Sequence, residues 1–255
     1  MYQEERQQSV ATLITQRGRV SVMDLADRFG VTTETVRRDL AVLERLGHIR
    51  RVHGGAVPTG SVTVGEPGLT ERDGTRAEQK DRIARAAVAF LPPPGGSVLF
   101  DAGTTTSRMI TELPASPNLT AVTNSVPIAA RLAASSTIDL QLLGGRVRGV
   151  TQAAVGAEPL RVLGTVRVDV AFVGTNALTV AHGLSTPDPD EAAVKRAMVE
   201  AARTVVVTAD SSKIGREHLI SFAPIGAVDV LVTDSDIERA DRTELERQGI
   251  EVVIA

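Results

Sequence analysis

Apolar residues recur at helical spacing through the first part of the chain. Residues 5–17 and residues 22–29 each carry an apolar stripe, and Gly30 interrupts the second one. A third helix is predicted from about residue 33 to residue 46, and two short extended pieces joined by a turn follow in residues 48–57. The pattern therefore predicts three helices and a hairpin in a small, mainly α-helical unit.

The third predicted helix separates an apolar side from a polar one. Val36, Leu40 and Leu43 fall on one face, and Thr32 or Thr33 is expected to cap the start of the helix. The opposite face and its flanks carry Glu34, Thr35, Arg37, Arg38, Ala41 and Arg45. A helix with an apolar back and arginines in front suits the major groove of DNA, where Arg bonds guanine and phosphate. A solvated helix face is the other interpretation.

From residue 76 onwards, strand-like and helical patterns alternate. Strands are predicted at residues 98–100, 119–123, 140–143, 168–173, 205–208, 228–232 and 251–254. Helices are predicted at residues 83–91, 105–113, 127–134, 191–203 and 238–248. Such alternation is typical of an α/β domain with a mainly parallel sheet and helices on both faces. Residues 58–75 are rich in Gly, Pro, Ser and Thr and lack a helical stripe, so a linker is predicted there.

Polar and glycine residues follow the predicted strands. The strands end in the runs DAGTTT, TNS, GGR, GTN, ADSSK and TD. Open parallel sheets bind ligands at the carboxyl ends of their strands, so these runs predict one pocket. DAGTTT has neither a Walker lysine nor a G-x-G-x-x-G fingerprint, which favours a small phosphate ester over a nucleotide. The alternative for Thr104, Thr105 and Thr106 is plain helix capping.

Composition narrows the class of protein. The chain has 255 residues and no Cys, which excludes disulfides and cysteine chemistry, and His182 and His218 lack partners at metal-ligand spacing, so no metal site is predicted. No apolar run reaches the roughly 18 to 20 residues of a membrane span, and a cytoplasmic location is expected. Residues 1–57 hold 9 Arg and 7 Asp or Glu, a balance of +2, and the rest holds 19 basic and 24 acidic residues. The basic excess in the first part is consistent with a duplex-binding surface.

The run TTETVRRDLAVLERLGHIRRVHGGAV resembles the winged helix-turn-helix of DeoR-type bacterial transcriptional repressors. Six residues match that signature in order: Thr32, Thr35, Val36, Arg37, Asp39 and Leu40. The resemblance implies a DNA-binding domain over residues 1–57, although a winged helix that binds proteins is the structural alternative. The residues expected to contact DNA are Thr33, Thr35, Arg37, Arg38 and Arg45 in the helix and Arg50, Arg51 and His53 in the wing.

The resemblance continues through FDAGTTT, VTNSVPIA, LLGGRVR, VDVAFVGTNAL and later runs, so residues 76–255 are similar to the DeoR-type sensor domain. That domain resembles the superfamily of ribose-5-phosphate isomerase, glucosamine-6-phosphate deaminase and CoA-transferase. The similarity implies that Gly103, Thr104, Thr105 and Thr106 hold a phosphate, with Lys80 reaching it as well. The sugar part of the pocket would then be lined by Asn124, Ser125, Gly144, Gly145, Asp188, Glu191, Lys195 and Lys213.

Four charged positions have structural alternatives. Glu191 and Lys195 are spaced i,i+4, as in an exposed helical ion pair. Lys213 follows two serines, where a solvated turn lysine is also expected, and Asp101 is expected to order its loop rather than to touch an anionic ligand.

The resemblance implies a repressor of a carbohydrate-utilisation operon that binds operator DNA as a homodimer or homotetramer. A phosphorylated sugar, such as a fructose or other hexose phosphate, would release it, and no cofactor is implied. One alternative is an isomerase-like enzyme fused to a DNA-binding domain, for which Asp188, Glu191, Lys195 and Lys213 are candidate acid–base groups. A ligand-dependent activator is another alternative.

Overall fold

The computed structural model describes residues 3–17, 20–45, 49–52, 54–58 and 68–255. The chain divides into two compact units, Met1–Glu66 and Pro67–Ala255. The division falls inside the segment predicted to be a linker, of which residues 59–67 lie outside the described residues.

The first unit is a three-helix cluster with a small antiparallel sheet. Its helices are α1 (Gln3–Arg17), α2 (Val22–Phe29) and α3 (Thr33–Arg45), and its strands are β1 (Val20–Ser21), β2 (Ile49–Val52) and β3 (Gly55–Pro58), in the order β1-β3-β2. Ser21 caps α2 by accepting a hydrogen bond from the Asp24 amide at 3.0 Å, and Gly30 ends it in the left-handed conformation at φ 62°. The predicted helices and hairpin are therefore present.

The apolar stripes of the three helices form the core of this unit. Ile14 of α1, Leu25 of α2 and Leu40 of α3 are almost fully buried and belong to one cluster, which also includes Ile49 of β2. Burial of these side chains holds α3 in place, so its polar face points away from the core.

The second unit contains seven helices and twelve strands among its described residues. The helices are α4 (Leu69–Gly74), α5 (Ala77–Ala87), α6 (Thr104–Met109), α7 (Val126–Leu132), α8 (Ala157–Leu163), α9 (Pro189–Ala201) and α10 (Arg239–Arg247). The strands are β4 (Ser97–Phe100), β5 (Leu119–Thr123), β6 (Ile138–Leu142), β7 (Arg146–Arg148), β8 (Ala153–Val155), β9 (Val168–Val173), β10 (Ala177–Thr179), β11 (Gly183–Thr186), β12 (Ala202–Thr208), β13 (Ile220–Ala223), β14 (Val230–Thr233) and β15 (Glu251–Ile254).

Seven of these strands form one fully parallel sheet in the order β15-β14-β12-β9-β4-β5-β6. One apolar face packs with side chains of α5, α6 and α7, among them Ile83, Met109 and Ile128, and the other packs with side chains of α8, α9 and α10, among them Met198. The predicted parallel α/β fold with helices on both faces is confirmed. Phe100 and Phe172, from adjacent strands, stack with ring centroids 5.6 Å apart.

The short helix α4 lies where the sequence predicts only linker. Contacts from later in the chain hold it: Arg108 donates to the Asp73 carbonyl and carboxylate at 3.0 Å each, and the Lys80 ammonium donates to the Arg72 carbonyl. Six residues without a buried side chain leave no stripe for a pattern to detect. Tertiary contacts, and not a local sequence pattern, therefore stabilise helix α4.

Candidate functional site

The start of α3 is fixed by threonine hydroxyls. The Thr35 amide donates to Thr32 Oγ1 at 3.2 Å, and the two hydroxyl oxygens are 2.9 Å apart. Of the two caps that the sequence allows, Thr32 is the one observed, and Thr33 is exposed in the first turn. Thr33 and Thr35 therefore lie at the amino end of the helix, the end from which a recognition helix contacts bases.

The arginines of α3 lie on its exposed face. The side chains of Arg37 and Arg38 are 60% and 79% exposed, and each has a guanidinium nitrogen 3.6 Å from a Glu34 carboxylate oxygen. Arg45 is exposed in the last turn. Such weakly paired, solvated arginines are free to exchange their partner for phosphate or guanine.

Arg51 lies on the β2–β3 hairpin that forms the predicted wing. Its amide donates to Glu44 Oε1 at 2.7 Å, and its guanidinium is 3.9 Å from the same carboxylate. The Glu44 side chain thus ties the end of α3 to the wing. The Arg50 side chain and all of His53 lie outside the described residues, although the Arg50 backbone pairs with Val57.

Asp39, one of the six signature residues, is buried and faces α1 rather than solvent. Its carboxylate accepts from Arg6 Nε at 2.6 Å and from Gln7 Nε2 at 2.9 Å. The Asp39 hydrogen bond raises the pKa of Arg6, against the opposing effect of burial. Asp39 therefore orients the recognition helix and leaves its exposed face to the arginines.

In the second unit, the carboxyl ends of all seven parallel strands lie along one edge of the sheet. The strand order changes direction between β4 and β9, because β5 and β6 lie on one side of β4 and the strands later in the chain lie on the other. Open α/β sheets form their ligand crevice at such a switch point. Asp101 to Thr106 follow β4 and Gly174 follows β9, so the DAGTTT run borders this crevice.

The three threonines of the DAGTTT run differ in their hydrogen bonding. Thr106 Oγ1 donates to the carbonyls of Asp101 at 2.8 Å and Gly103 at 3.0 Å, which closes the loop. The hydroxyls of Thr104 and Thr105 make no hydrogen bond within the described part of the chain, although both residues are less than 10% exposed. No side chain caps α6, so the capping alternative for these threonines is wrong.

Asp101 and Lys195 form a buried ion pair at the base of the crevice. The Lys195 ammonium donates to Asp101 Oδ2 and, at 2.9 Å, to the Gly174 carbonyl, and it lies 5.5 Å from the centroid of the Phe222 ring. Asp101 also accepts from the Gly174 amide at 2.9 Å. The pair links the ends of β4 and β9, which agrees with the expectation that Asp101 orders its loop.

Glu191 lies in a second buried group, on α9. Arg148 Nη1 donates to Glu191 Oε1 at 3.1 Å, the Thr151 hydroxyl donates to the same oxygen, and Arg148 Nε is 3.0 Å from Asp188 Oδ2. Asp188 caps α9 by accepting from the Glu191 amide at 2.9 Å. The alternative of an exposed Glu191–Lys195 pair is wrong, because both are about 5% exposed and have other partners.

Four further predicted residues shape the crevice through the backbone. Asn124 accepts from the Ala102 amide at 3.1 Å and donates to the Ala154 carbonyl at 3.2 Å, and Ser125 caps α7. Gly145 has φ 140°, and a Cβ there would lie 2.9 Å from the Val155 carbonyl oxygen, so only glycine fits. Gly144 beside it is exposed, at the end of the edge strand β6.

Lys80 and Lys213 both interact electrostatically with Asp210, which follows the end of β12. Burial lowers the pKa of Lys80 to about 8, and Asp210 opposes this effect. Burial also lowers the pKa of Lys213, again against Asp210. The Lys213 amide donates to the Asp210 carbonyl at 3.0 Å, but its ammonium makes no hydrogen bond or close ion pair with any described residue, so its charge is available to an anion.

Arg76, a residue for which the sequence pattern gives no signal, joins this region to two strand ends. Its guanidinium lies 3.3 Å from Asp210, 2.9 Å from Asp234 and 2.6 Å from Asp236. Burial raises the pKa of Asp234, but the Ser211 and Asp236 amides and Arg76 outweigh it, so the net pKa is lowered. Arg148 is also missed, although it lies in the quoted run LLGGRVR; its role depends on partners on α9 that no local pattern reveals.

Many of the predicted effector residues thus fall into connected groups along one sheet edge, together with Asp101 and Arg148, which were not predicted to bind the effector. Asp101, Thr106, Asn124, Ser125 and Lys195 build the base near β4, Asp188 and Glu191 form a group with Arg148, and Lys80 and Lys213 surround Asp210. None of the described residues forms a cluster of three His, Cys, Asp or Glu fit for a metal ion. None of the described helices has both the length and the apolar content to cross a bilayer.

A winged helix with an arginine-bearing recognition helix, joined to an α/β unit with a polar crevice, defines a DNA-binding transcriptional regulator. Residues 6–61 match the DeoR-like helix-turn-helix domain, and residues 75–235 match the DeoR C terminal sensor domain. The chain belongs to the DeoR family of transcriptional regulators.

Relatives match over nearly the whole chain. The HTH-type transcriptional regulator GlpR of Haloferax volcanii is 39% identical over 99% of this chain and 98% of its own length. The glycerol-3-phosphate regulon repressor of Escherichia coli is 33% identical over 92% of each chain. Because these relatives are regulators, the enzyme alternative is set aside. Ribose 5 phosphate isomerase A of Neisseria gonorrhoeae is 20% identical over 55% of this chain and 54% of its own, with a TM-score of 0.39, an overlap too small to bear on activity.

Proposed function

We propose that the protein represses a carbohydrate-utilisation operon and that a phosphorylated sugar, such as a fructose or other hexose phosphate, releases it from the operator. DNA binding follows from the family. A relative named for a glycerol-3-phosphate regulon supports a small phosphorylated effector. The finer assignments rest on the geometry of the two units.

On the DNA side, Thr33, Thr35, Arg37, Arg38 and Arg45 would contact bases and phosphates, and Arg50, Arg51 and His53 would act from the wing. The exposure and weak pairing of Arg37 and Arg38 support this assignment. A homodimer or homotetramer would place two recognition helices one helical turn, or a multiple of it, apart along the operator.

On the effector side, the observation that carries the proposal is the pair of unbonded hydroxyls at Thr104 and Thr105. Both residues are less than 10% exposed and lie at the switch point of the parallel sheet, where their hydroxyl oxygens keep accessible surface and could bond a ligand oxygen. Lys80 and Lys213 would add positive charge for the phosphate. The remaining polar side chains, which already bond one another, would fix the shape of the crevice instead of binding through free groups.

Effector binding would favour the arrangement of the protein that does not fit DNA. Linkage then requires that operator DNA weakens effector binding by the same factor, typically about 5- to 150-fold. Helix α4 is the first described element of the second unit, and its Asp73 is held by Arg108 of α6, the helix that the DAGTTT run begins. This ion pair offers a short non-covalent route from the helix of the effector loop to the start of the second unit.

Direct binding of sugar phosphates tests the effector site. Calorimetric titration of the full-length protein should detect a phosphorylated hexose and not its unphosphorylated parent. Thr105→Val should abolish the binding, because it removes a hydroxyl that the ligand would bond, whereas Thr120→Val, the same change at an exposed strand position, should not alter it. Equal binding by both variants would remove Thr105 from the site.

A further inference from the structure

Glu34 is an exposed acidic residue on the helix that is otherwise equipped to bind DNA. It occupies the first turn of α3, and its side chain is 61% exposed. Its two carboxylate oxygens lie 3.6 Å from nitrogens of Arg37 and Arg38, respectively. The carboxylate therefore sits between the two arginines that face outward most strongly in the first half of the helix.

The other acidic residues of α3 have partners within the protein that explain why a carboxylate is present at each position. Asp39 is buried against Arg6 and Gln7, and Glu44 holds the Arg51 amide of the wing. The contacts of Glu34 are solvated ion pairs within one helix, and pairs of this kind contribute only a few tenths of a kcal/mol. The fold itself thus depends little on this carboxylate.

A carboxylate in this position has a specific meaning for DNA recognition. The first turn of a recognition helix is the part that meets base edges in the major groove. A carboxylate only accepts hydrogen bonds, and it is repelled by phosphates and by the acceptor atoms of guanine and thymine. The carboxylate can accept a hydrogen bond from the cytosine N4 amino group, because that base edge presents no acceptor atom to repel it. Adenine, in contrast, presents the acceptor N7 beside its amino group.

We infer that Glu34 is a specificity-determining residue, whose carboxylate accepts a hydrogen bond from a cytosine amino group in the operator. Arg37 and Arg38, which flank the carboxylate in the free protein, give up their contact with it for guanine or phosphate when DNA binds. The inference requires DNA binding, which the family provides, and it is independent of the effector proposal.

Selection from a randomised duplex library tests this role without requiring the operator sequence. Full-length wild type, Glu34→Gln and Glu34→Ala would each be used to select duplexes at one fixed salt concentration. Asp27→Asn is the matched control, because it removes one exposed negative charge from α2, the other helix of the motif. Circular dichroism and thermal unfolding of each variant establish that it is folded.

The expected result is a cytosine position in the wild-type motif that loses its preference by about 5- to 150-fold in both Glu34 variants and keeps it in Asp27→Asn. Glu34→Gln should also raise adenine at that position, since a glutamine amide pairs with adenine N6 and N7. An unchanged motif in the folded Glu34 variants would overturn the inference. So would a uniform gain in affinity for every sequence, because Glu34 would then act only through its charge.

Discussion

The two units of this protein use charge in opposite ways. In the winged helix, Arg37 and Arg38 are mostly exposed, and each lies 3.6 Å from the same solvated glutamate. In the sensor unit, Asp101, Lys195 and Glu191 are buried, and each is bonded to other protein groups. The exposed arginines of the first unit are therefore available to a partner, whereas the buried charges around Asp101 and Glu191 in the second build the crevice and leave hydroxyls and two lysines to receive a ligand.

The largest effect on stability is expected from breaking the Asp101–Lys195 pair. Lys195→Met leaves a buried carboxylate without its cation, which should lower the free energy of unfolding of the sensor unit by about 3–5 kcal/mol. Lys213→Met is the matched control, because Lys213 has no close partner among the described residues and its charge is penalised by burial. Urea unfolding followed by circular dichroism measures both. Equal stability of the two variants would show that the buried pair does not hold the strand ends together.

Among the acidic residues of α3 in the winged helix, the buried Asp39 should have a comparable effect on the free energy of unfolding. Asp39→Ala removes the acceptor of Arg6 and Gln7 and should destabilise this unit by about 2–3 kcal/mol, as for hydrogen bonds to a charged group. Glu34→Ala removes an exposed carboxylate from the same helix and should cost about 1 kcal/mol or less. Thermal unfolding of the two variants compares them, and a larger loss at Glu34 would contradict the distinction between buried and exposed charge.

An exposed arginine should affect DNA binding and not stability. Arg38→Ala is expected to weaken operator binding by about 1–3 kcal/mol. Its effector affinity should remain that of the wild type, because α3 belongs to the other unit. Arg247→Ala, which removes a 72% exposed arginine from α10, serves as the control and should leave both affinities unchanged. If Arg38→Ala also loses effector binding, misfolding and not lost DNA contact is the cause.

A further expected effect is a pH dependence of effector affinity that is set by Lys80. Because its pKa is lowered to about 8, the affinity for a phosphorylated sugar should fall roughly tenfold for each pH unit well above 8, as the ammonium deprotonates. Lys80→Arg should flatten this dependence between pH 7.5 and 9.5, a range in which the phosphate itself does not titrate. A wild-type profile that is equally flat would exclude Lys80 from phosphate binding.

The same lowered pKa predicts how stability depends on pH. The folded protein releases the Lys80 proton at about pH 8, whereas the unfolded chain keeps it to about 10.5, so the unfolded state binds more protons in this window. The Lys80 contribution to stability should therefore rise from about pH 8 to 10.5, and Lys80→Met should remove that rise.

The local sequence pattern was sufficient to predict the elements that bury a regular apolar stripe. Helix α2 and strands β5, β9 and β15 have the predicted bounds, and the runs that follow the parallel strands do lie along one edge of the sheet. In the second unit, the pattern did not reveal α4, α8 or the short strands β7, β8, β10, β11 and β13. These elements are only three to seven residues long, and contacts from distant parts of the chain stabilise them, as Arg108 does for Asp73.

The sequence could not reveal how the candidate site residues are connected. Glu191 and Lys195 are four residues apart, yet Glu191 bonds Arg148 and Thr151, 43 and 40 residues away, and Lys195 bonds Asp101, 94 residues away. Spacing along a helix cannot reveal such partners, because they depend on which strand ends become neighbours in the sheet. The partners that a charge finds in the folded chain then decide whether it is structural or available.

The most direct test of a ligand-released repressor is fluorescence anisotropy of the full-length protein on DNA from its own upstream region. Salt must be fixed, because phosphate contacts make the affinity steeply salt-dependent. A panel of hexose phosphates and their unphosphorylated parents would be added to the complex. The account predicts tight binding that one phosphorylated sugar releases and its parent does not. Tight binding that no phosphorylated sugar changes, or release by a parent sugar alone, would contradict it.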